Sequence, residues 1–200
     1  MSVRSVSPVI ILLSFCFASS LQSMSQTSAT SRFEAGGGIT GIRNALVANV
    51  GPTVEGDVNF GNHVAFDAAV QWMPASFSQN VIGLFGAKIG TRTEHFGFFG
   101  KIRPGFFSTS DTFRGSTINL DTGQASARFG RLTEKALDAG GVLEYYPAHH
   151  WLMRWDLGDT IIFEQPIVFN FTGTNAPPDL SVSNGNSNHL QFSAAVHYRF

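Results

Sequence analysis

The chain has 200 residues with 13 Lys and Arg against 14 Asp and Glu, and charged residues make up only 14 % of it. Near-neutral charge with no basic patch and no charge run excludes a nucleic-acid binder and a charged tail, and the length fits one domain. Twenty-one glycines, 19 phenylalanines and one cysteine point to glycine-kinked, aromatic-rich β-structure rather than helix.

The first element is a secretory signal over residues 1–25. Arg4 supplies the positive charge, Val9 to Ala18 the apolar core, and Ser23-Met24-Ser25 before Gln26 a small-residue cleavage site. At about ten residues the apolar run is half the roughly 20 that a spanning helix needs. Cys16 raises lipid attachment as an alternative, but that chemistry wants a small residue before the Cys and here it is Phe15. Cleavage near Ser25 leaves a chain without cysteine, hence without disulfides or a thiol nucleophile.

From residue 31 onward a two-residue period recurs, the mark of strands with two different faces. Eight strands are expected. Phe33, Ala35 and Ile39 oppose Glu34 and Thr40; Val54, Val58 and Phe60 oppose Glu55, Asp57 and Asn59. Val64, Phe66, Ala68, Val70 and Trp72 oppose Asp67 and Gln71. Val81, Phe85, Ala87 and Ile89 oppose Lys88, with Ile82 and Leu84 breaking the pattern. Phe96, Phe98, Ile102 and Phe106 oppose Lys101 and Arg103; Leu137, Ala139, Leu143 and Tyr145 oppose Asp138, Val142 and Glu144. Trp151, Met153, Trp155, Leu157 and Ile161 oppose Arg154, Asp156 and Thr160. Leu190, Phe192, Ala194, Val196, Tyr198 and Phe200 oppose His189, Gln191, Ser193, His197 and Arg199. Gly36-Gly37-Gly38, followed by neither helix nor Lys, reads as a tight bend rather than a phosphate loop.

The connections alternate in length. Short turns are expected at Gly61-Asn62, at Thr91 to His95 and at Pro147-Ala148-His149-His150. Longer connections are expected at Gly41 to Asn49, Met73 to Asn80, Ser108 to Thr133 and Glu164 to Ser187, the last two rich in Ser, Thr, Asn and Gly. Short turns at one end and long polar loops at the other predict an all-β, eight-stranded antiparallel up-and-down transmembrane β-barrel over residues 31–200, with periplasmic turns and extracellular loops, in a bacterial outer membrane. Strand lengths near the roughly 9–11 residues that cross a bilayer, and rings near strand ends, favour lipid over a soluble core on the apolar face. A secreted sandwich or lipocalin-like barrel is the competing reading.

The opposite face then lines the lumen and carries Glu34, Glu55, Asp57, Asp67, Lys88, Lys101, Arg103, Asp138, Glu144, Arg154, Asp156 and Arg199. An eight-stranded barrel is only wide enough for side chains to fill, so these charges are expected to pair and plug it, a narrow channel being the alternative. Asp159 by parity faces lipid, unless a bulge at Gly158 turns it inward. No catalytic, cofactor or metal site is predicted. His149-His150 sit in a turn without further ligands placed by spacing, and Asn186-Ser187-Asn188-His189 puts a Ser near a His without a locatable acid.

With signal, strands and terminal Tyr198-Arg199-Phe200 in view, residues 31–200 resemble small outer-membrane β-barrels of the OmpA-like transmembrane type. Ala139 to Pro147 followed by Trp151 to Ile162 looks like that group's sixth and seventh strands. The resemblance implies insertion by the barrel-assembly machinery, with Phe200 and Tyr198 as the C-terminal assembly signal. It implies contact with outer-membrane lipid and a monomer. It also implies a structural or surface-interaction role, with an extracellular partner at loops 108–133 and 164–187. Outer-membrane lipid A deacylases and other lipid-modifying enzymes are the enzymatic alternative, although the deacylase His-x-Ser-Asn order is absent here.

Overall fold

A computed structural model describes residues 31–43, 48–74, 79–183 and 185–200. The leader expected over residues 1–25, with Cys16, lies outside the described residues. The described residues form ten strands: β1 (Phe33–Arg43), β2 (Ala48–Asn59), β3 (Val64–Pro74), β4 (Gln79–Arg92), β5 (Phe96–Asn119), β6 (Gln124–Ala148), β7 (Trp151–Phe163), β8 (Ile167–Thr172), β9 (Leu180–Val182) and β10 (Asn186–Arg199). β1 to β7 pair in sequence, β7 pairs with β10, and β10 pairs with β1 from Glu34↔Arg199 to Arg43↔Leu190, all antiparallel. Eight strands therefore close a ring with no free edge along its wall. At the closure Phe200 N–H donates to the Phe33 carbonyl at 3.0 Å, and Ser31 Oγ donates to the Phe200 carbonyl at 2.6 Å.

The two-residue period becomes the two walls of this ring. Ile39, Val54, Val70, Phe85, Phe98, Ile102, Leu157 and Phe192 are all half or more exposed on the outside. Glu34, Asp67, Lys88, Arg103, Glu144 and Arg154 are buried inside. A large contiguous apolar exterior is untenable in water. Around hydrocarbon it is what every strand must present, and ring closure leaves no unpaired backbone in the wall. The protein is an eight-stranded barrel built to span a bilayer.

At Gly36-Gly37-Gly38 the pairing of β1 with both neighbours runs unbroken. The reason for glycine is space inside the lumen. A Cβ on Gly36 would run into the His197 ring and the Val196 carbonyl of β10, so a bare backbone lets the imidazole lie across the seam.

The extracellular connections differ from expectation. β1 and β2 reach to Arg43 and Ala48, and β3 and β4 reach to Pro74 and Gln79, so only residues 44–47 and 75–78 join them. Of the spans expected as loops, 108–133 is largely strand and 164–187 holds β8, β9 and the start of β10. β5 and β6 run on together to a turn at residues 120–123, an arm rising roughly 35 Å at about 3.3 Å per residue. Two register shifts, near Asp111 and Arg114, bend it. β8 then lies parallel to the end of β5, and β9 pairs antiparallel with β8. Gly115, at φ +140°, permits this, because a Cβ there would collide with the Val168 carbonyl of β8. The expected loops thus unite in one four-stranded sheet, β6-β5-β8-β9, standing on the barrel's rim. Local polarity hid this, because a sheet in water needs no apolar run and the β5–β8 contact joins residues 53 positions apart.

Replacing Gly36 by Val should overpack the β1–β10 seam and lower stability by about 1–3 kcal/mol. Denaturant unfolding in detergent checks this, with Gly37→Val, on the outer wall, as the milder comparison.

Candidate functional site

Each lumen side chain is placed by parity on a strand, and the ring then brings distant strands' charges face to face. Of the twelve residues expected on the lumen face, eleven are at most 5 % exposed, and the Arg199 side chain, at the periplasmic rim, is 14 % exposed. The hub is Arg154 of β7. It reaches Asp57 at 3.1 Å and Glu55 at 3.4 Å on β2, Asp156 at 3.2 Å on its own strand, and Asp67 on β3.

Toward the extracellular side Arg103 holds Asp138 at 2.7 Å and Asp67 at 3.0 Å, and Lys101 holds Asp138 at 2.9 Å and Asp156 at 3.4 Å. Toward the periplasm Lys88 holds Glu144 at 2.5 Å and Asp57 at 3.0 Å. Arg199 holds Glu34 at 3.3 Å. Such groups are tolerable away from water only because each meets an opposite charge; one isolated would destabilise by several kcal/mol.

Sequence reading missed Arg92. It was assigned to a turn, but β4 continues through it, and its guanidinium reaches Glu144 at 3.2 Å and Glu34 at 3.5 Å and donates to the Tyr146 hydroxyl at 2.9 Å. The available signal was parity, since Lys88 and Arg92 share a face. Tyr146 in turn donates to Glu144. His197 points inward as expected, with Nε2 at 3.3 Å from Glu55 and Nδ1 at 3.8 Å from Asp57. Among the described residues the lumen thus opposes seven carboxylates with six Lys and Arg.

Above the charges the lumen changes character. Ile42, Met73, Ile82 and Leu84 are buried together, with Phe107 packed on them. Ile82 and Leu84 broke the sequence alternation because they point inward into this apolar layer. Between the layers Thr160 Oγ1 donates to Gln191 Oε1 at 2.7 Å. Among the described residues the lumen is thus lined first by ion pairs and then by hydrocarbon.

Asp159 is settled by register. It pairs with Leu190 and Ala139 in unbroken ladders, with no bulge at Gly158. It is half-buried on the outer wall four residues before the end of β7, near the interface, where a charge is tolerated at about 0–1 kcal/mol. His149 and His150 occupy the turn; their rings meet edge to face at 4.7 Å, and His150 stacks on Tyr198 at 5.6 Å. Tyr198 also packs against Phe200 at 5.1 Å and Trp151 at 5.4 Å, a periplasmic aromatic cluster beside the chain's end. Ser187 and His189 do come together, Oγ to Nε2 at 3.0 Å, but no carboxylate hydrogen-bonds the imidazole among the described residues.

The extracellular sheet is tied at its tip. Asp121 accepts from Thr174 N–H at 2.9 Å and Thr174 Oγ1 at 3.1 Å, while Leu120 N–H donates to the Thr172 carbonyl at 2.8 Å. Phe113 packs with Phe129 at 5.7 Å and Phe169 at 6.2 Å, so one face of the sheet carries an aromatic row across three strands. β6 meets β7 only from Lys135 onward, which leaves its edge over residues 124–132 without a strand partner among the described residues. The opposite edge, β9, is three residues long and follows Pro177-Pro178.

No protein-family model matches the chain, and no curated protein matches it by sequence. Among solved structures it is similar to Ail, the attachment invasion locus protein of Yersinia pestis, at 12 % identity over 85 % of this chain and 97 % of that one, with a TM-score of 0.48. It is similar to Neisserial surface protein A at 14 % identity over 84 % and 96 %, TM-score 0.47. It is similar to the N-terminal β-barrel domain of Pseudomonas aeruginosa OprF at 12 % identity over 85 % and 98 %, TM-score 0.45.

Replacing Arg154 by Met should take one cationic partner from four carboxylates, leave Glu55 with no Lys or Arg, and destabilise by about 3–5 kcal/mol. Arg199→Met, at the hydrated rim, should change stability by less than about 1 kcal/mol. Urea unfolding of both variants in the same detergent measures the contrast.

Proposed function

We propose that the protein is a non-enzymatic outer-membrane barrel that is closed to solutes and engages an extracellular partner through the β6-β5-β8-β9 sheet. The observation carrying this reading is the unpaired edge of β6 over residues 124–132. Edges of soluble sheets are normally blunted by proline, bulges or shortness, as β9 is. This β6 edge holds no proline, the two bulges of the arm lie on its partner β5, and it continues for nine residues at the top of a raised arm. A row of free N–H and C=O groups is a template onto which an extended segment adds as another strand. The apolar exterior supports residence in a membrane, and the two-layer filling of the lumen supports closure.

In this reading the barrel serves as a rigid pedestal, monomeric in lipid. Phe200 and Tyr198 act during biogenesis, as the signal by which the assembly machinery recruits the last strand.

The loop role is tested by excising residues 112–130 and bridging the gap with a short Gly-Ser turn. Cells displaying the full chain should adhere to protein-coated surfaces, and cells displaying the excised form should fall to background while the barrel keeps its heat-dependent gel mobility. Adherence unchanged by the excision would overturn the sheet's role.

Closure predicts no steady conductance in planar bilayers, and regular single-channel steps from the purified protein would contradict it. Deleting Phe200 should lower the yield of membrane-inserted barrel several-fold but leave the unfolding midpoint of the inserted fraction within about 0.5 kcal/mol of the parent.

A further inference from the structure

A second concave feature is independent of that edge. Where the ring opens to the outside, a cleft of about 240 Å3 lies over the apolar layer. Its floor is hydrocarbon: Ile42, Ile162 and the Phe107 ring, which stacks on His189 at 6.4 Å. Its walls are polar. Asn49 and Thr109 present amide and hydroxyl groups, and Ser187 and His189 present their hydrogen-bonded pair.

Two observations point to the chemistry of an occupant. The first is charge. Glu134 and Glu164 both line the cleft, and among the described residues no Lys or Arg lines it with them. Glu134 accepts the Gln165 N–H at 2.8 Å. Burial, partly offset by that hydrogen bond, and then the neighbouring Glu164 charge push its carboxyl above the ordinary range. The second is an orphan. Asn80 is only 5 % exposed, and its Oδ1 has no hydrogen-bond partner among the described residues. A buried amide oxygen left unpaired is destabilising by about 1–3 kcal/mol, which a donor seated in the cleft would recover.

Two carboxylates select a cation. The apolar floor and ring of neutral acceptors select something larger than a bare ion, and no cluster of three or more metal-ligating groups occurs among the described residues. We propose that the extracellular mouth of the barrel binds a small protonated amine carried on a hydroxylated scaffold, such as an amino sugar. The ammonium lies between Glu134 and Glu164, one donor satisfies Asn80 Oδ1, and the scaffold's C–H face rests on Phe107.

The test uses the full chain refolded in detergent, titrated with glucosamine and with glucose, which share a ring and differ by the amine. Backbone amide NMR shifts of Thr109, Glu134 and His189 should saturate with glucosamine, with affinity at least roughly tenfold above that for glucose, a difference of about 1.4 kcal/mol. The double substitution Glu134→Gln with Glu164→Gln should bring glucosamine down to the level of glucose while heat-dependent gel mobility persists. Equal affinity for the two sugars would overturn the proposal, as would absence of saturable shifts with glucosamine. Undiminished glucosamine binding in a folded double variant would do the same. The comparison in the unmutated protein decides the matter even if the double variant fails to fold.

Discussion

Everything in this molecule depends on the closure between β1 and β10. Inside hydrocarbon an unpaired N–H or C=O has no water to turn to, so a sheet can cross a membrane only by meeting itself. The ten-position ladder from Glu34↔Arg199 to Arg43↔Leu190 does this, and it dictates local chemistry on both strands. Gly36 is bare so that His197 can lie across the seam. Once the ring is shut, its circumference is fixed by eight strands, and everything pointing inward must share a space only a few side chains wide.

That confinement explains the lumen's composition. Polar and ionised groups inside a narrow barrel are stable only as a mutually satisfied set. Arg154 shows the principle: residues contributed by β2, β3 and β7 converge on one guanidinium, so ring geometry and charge pairing reinforce each other. The apolar layer of Ile42, Met73, Ile82 and Leu84 adds a second kind of lumen lining. In the proposed reading the wall is a pedestal, and recognition sits where the membrane's constraint ends, on the raised sheet and at the mouth.

Above the rim a different constraint applies. Water can satisfy an open edge, so β6 is free to run unpaired past Lys135, and β8 can join β5 in parallel, an arrangement the wall of an up-and-down barrel never uses. Asp121 and the aromatic row of Phe113, Phe129 and Phe169 hold this sheet as a unit rather than as two independent loops. The mouth cleft lies beneath it, with Glu134 just above the last β6–β7 pair and Glu164 just past the end of β7.

The sequence by itself determined which side chains face lipid and which face inward, because a strand's period of two is a property of the local backbone and needs no partner. Hence Asp67, Lys88, Arg103 and Arg154 were legible as one lumen set, and Phe33, Trp151 and Tyr198 as interfacial rings. Even Asp159's outward parity was legible, though only the unbroken register removed the alternative of a bulge. Tertiary structure alone decided which charges meet, that Arg92 belongs among them, and that Ile82 and Leu84 join an apolar layer inside the ring. It alone decided that two polar loops form one sheet, and that Asn80, Glu134 and Glu164 surround one cleft. The physical reason is common to all of these: they depend on contacts between residues distant in the chain, set by register and ring closure, about which local periodicity carries no information.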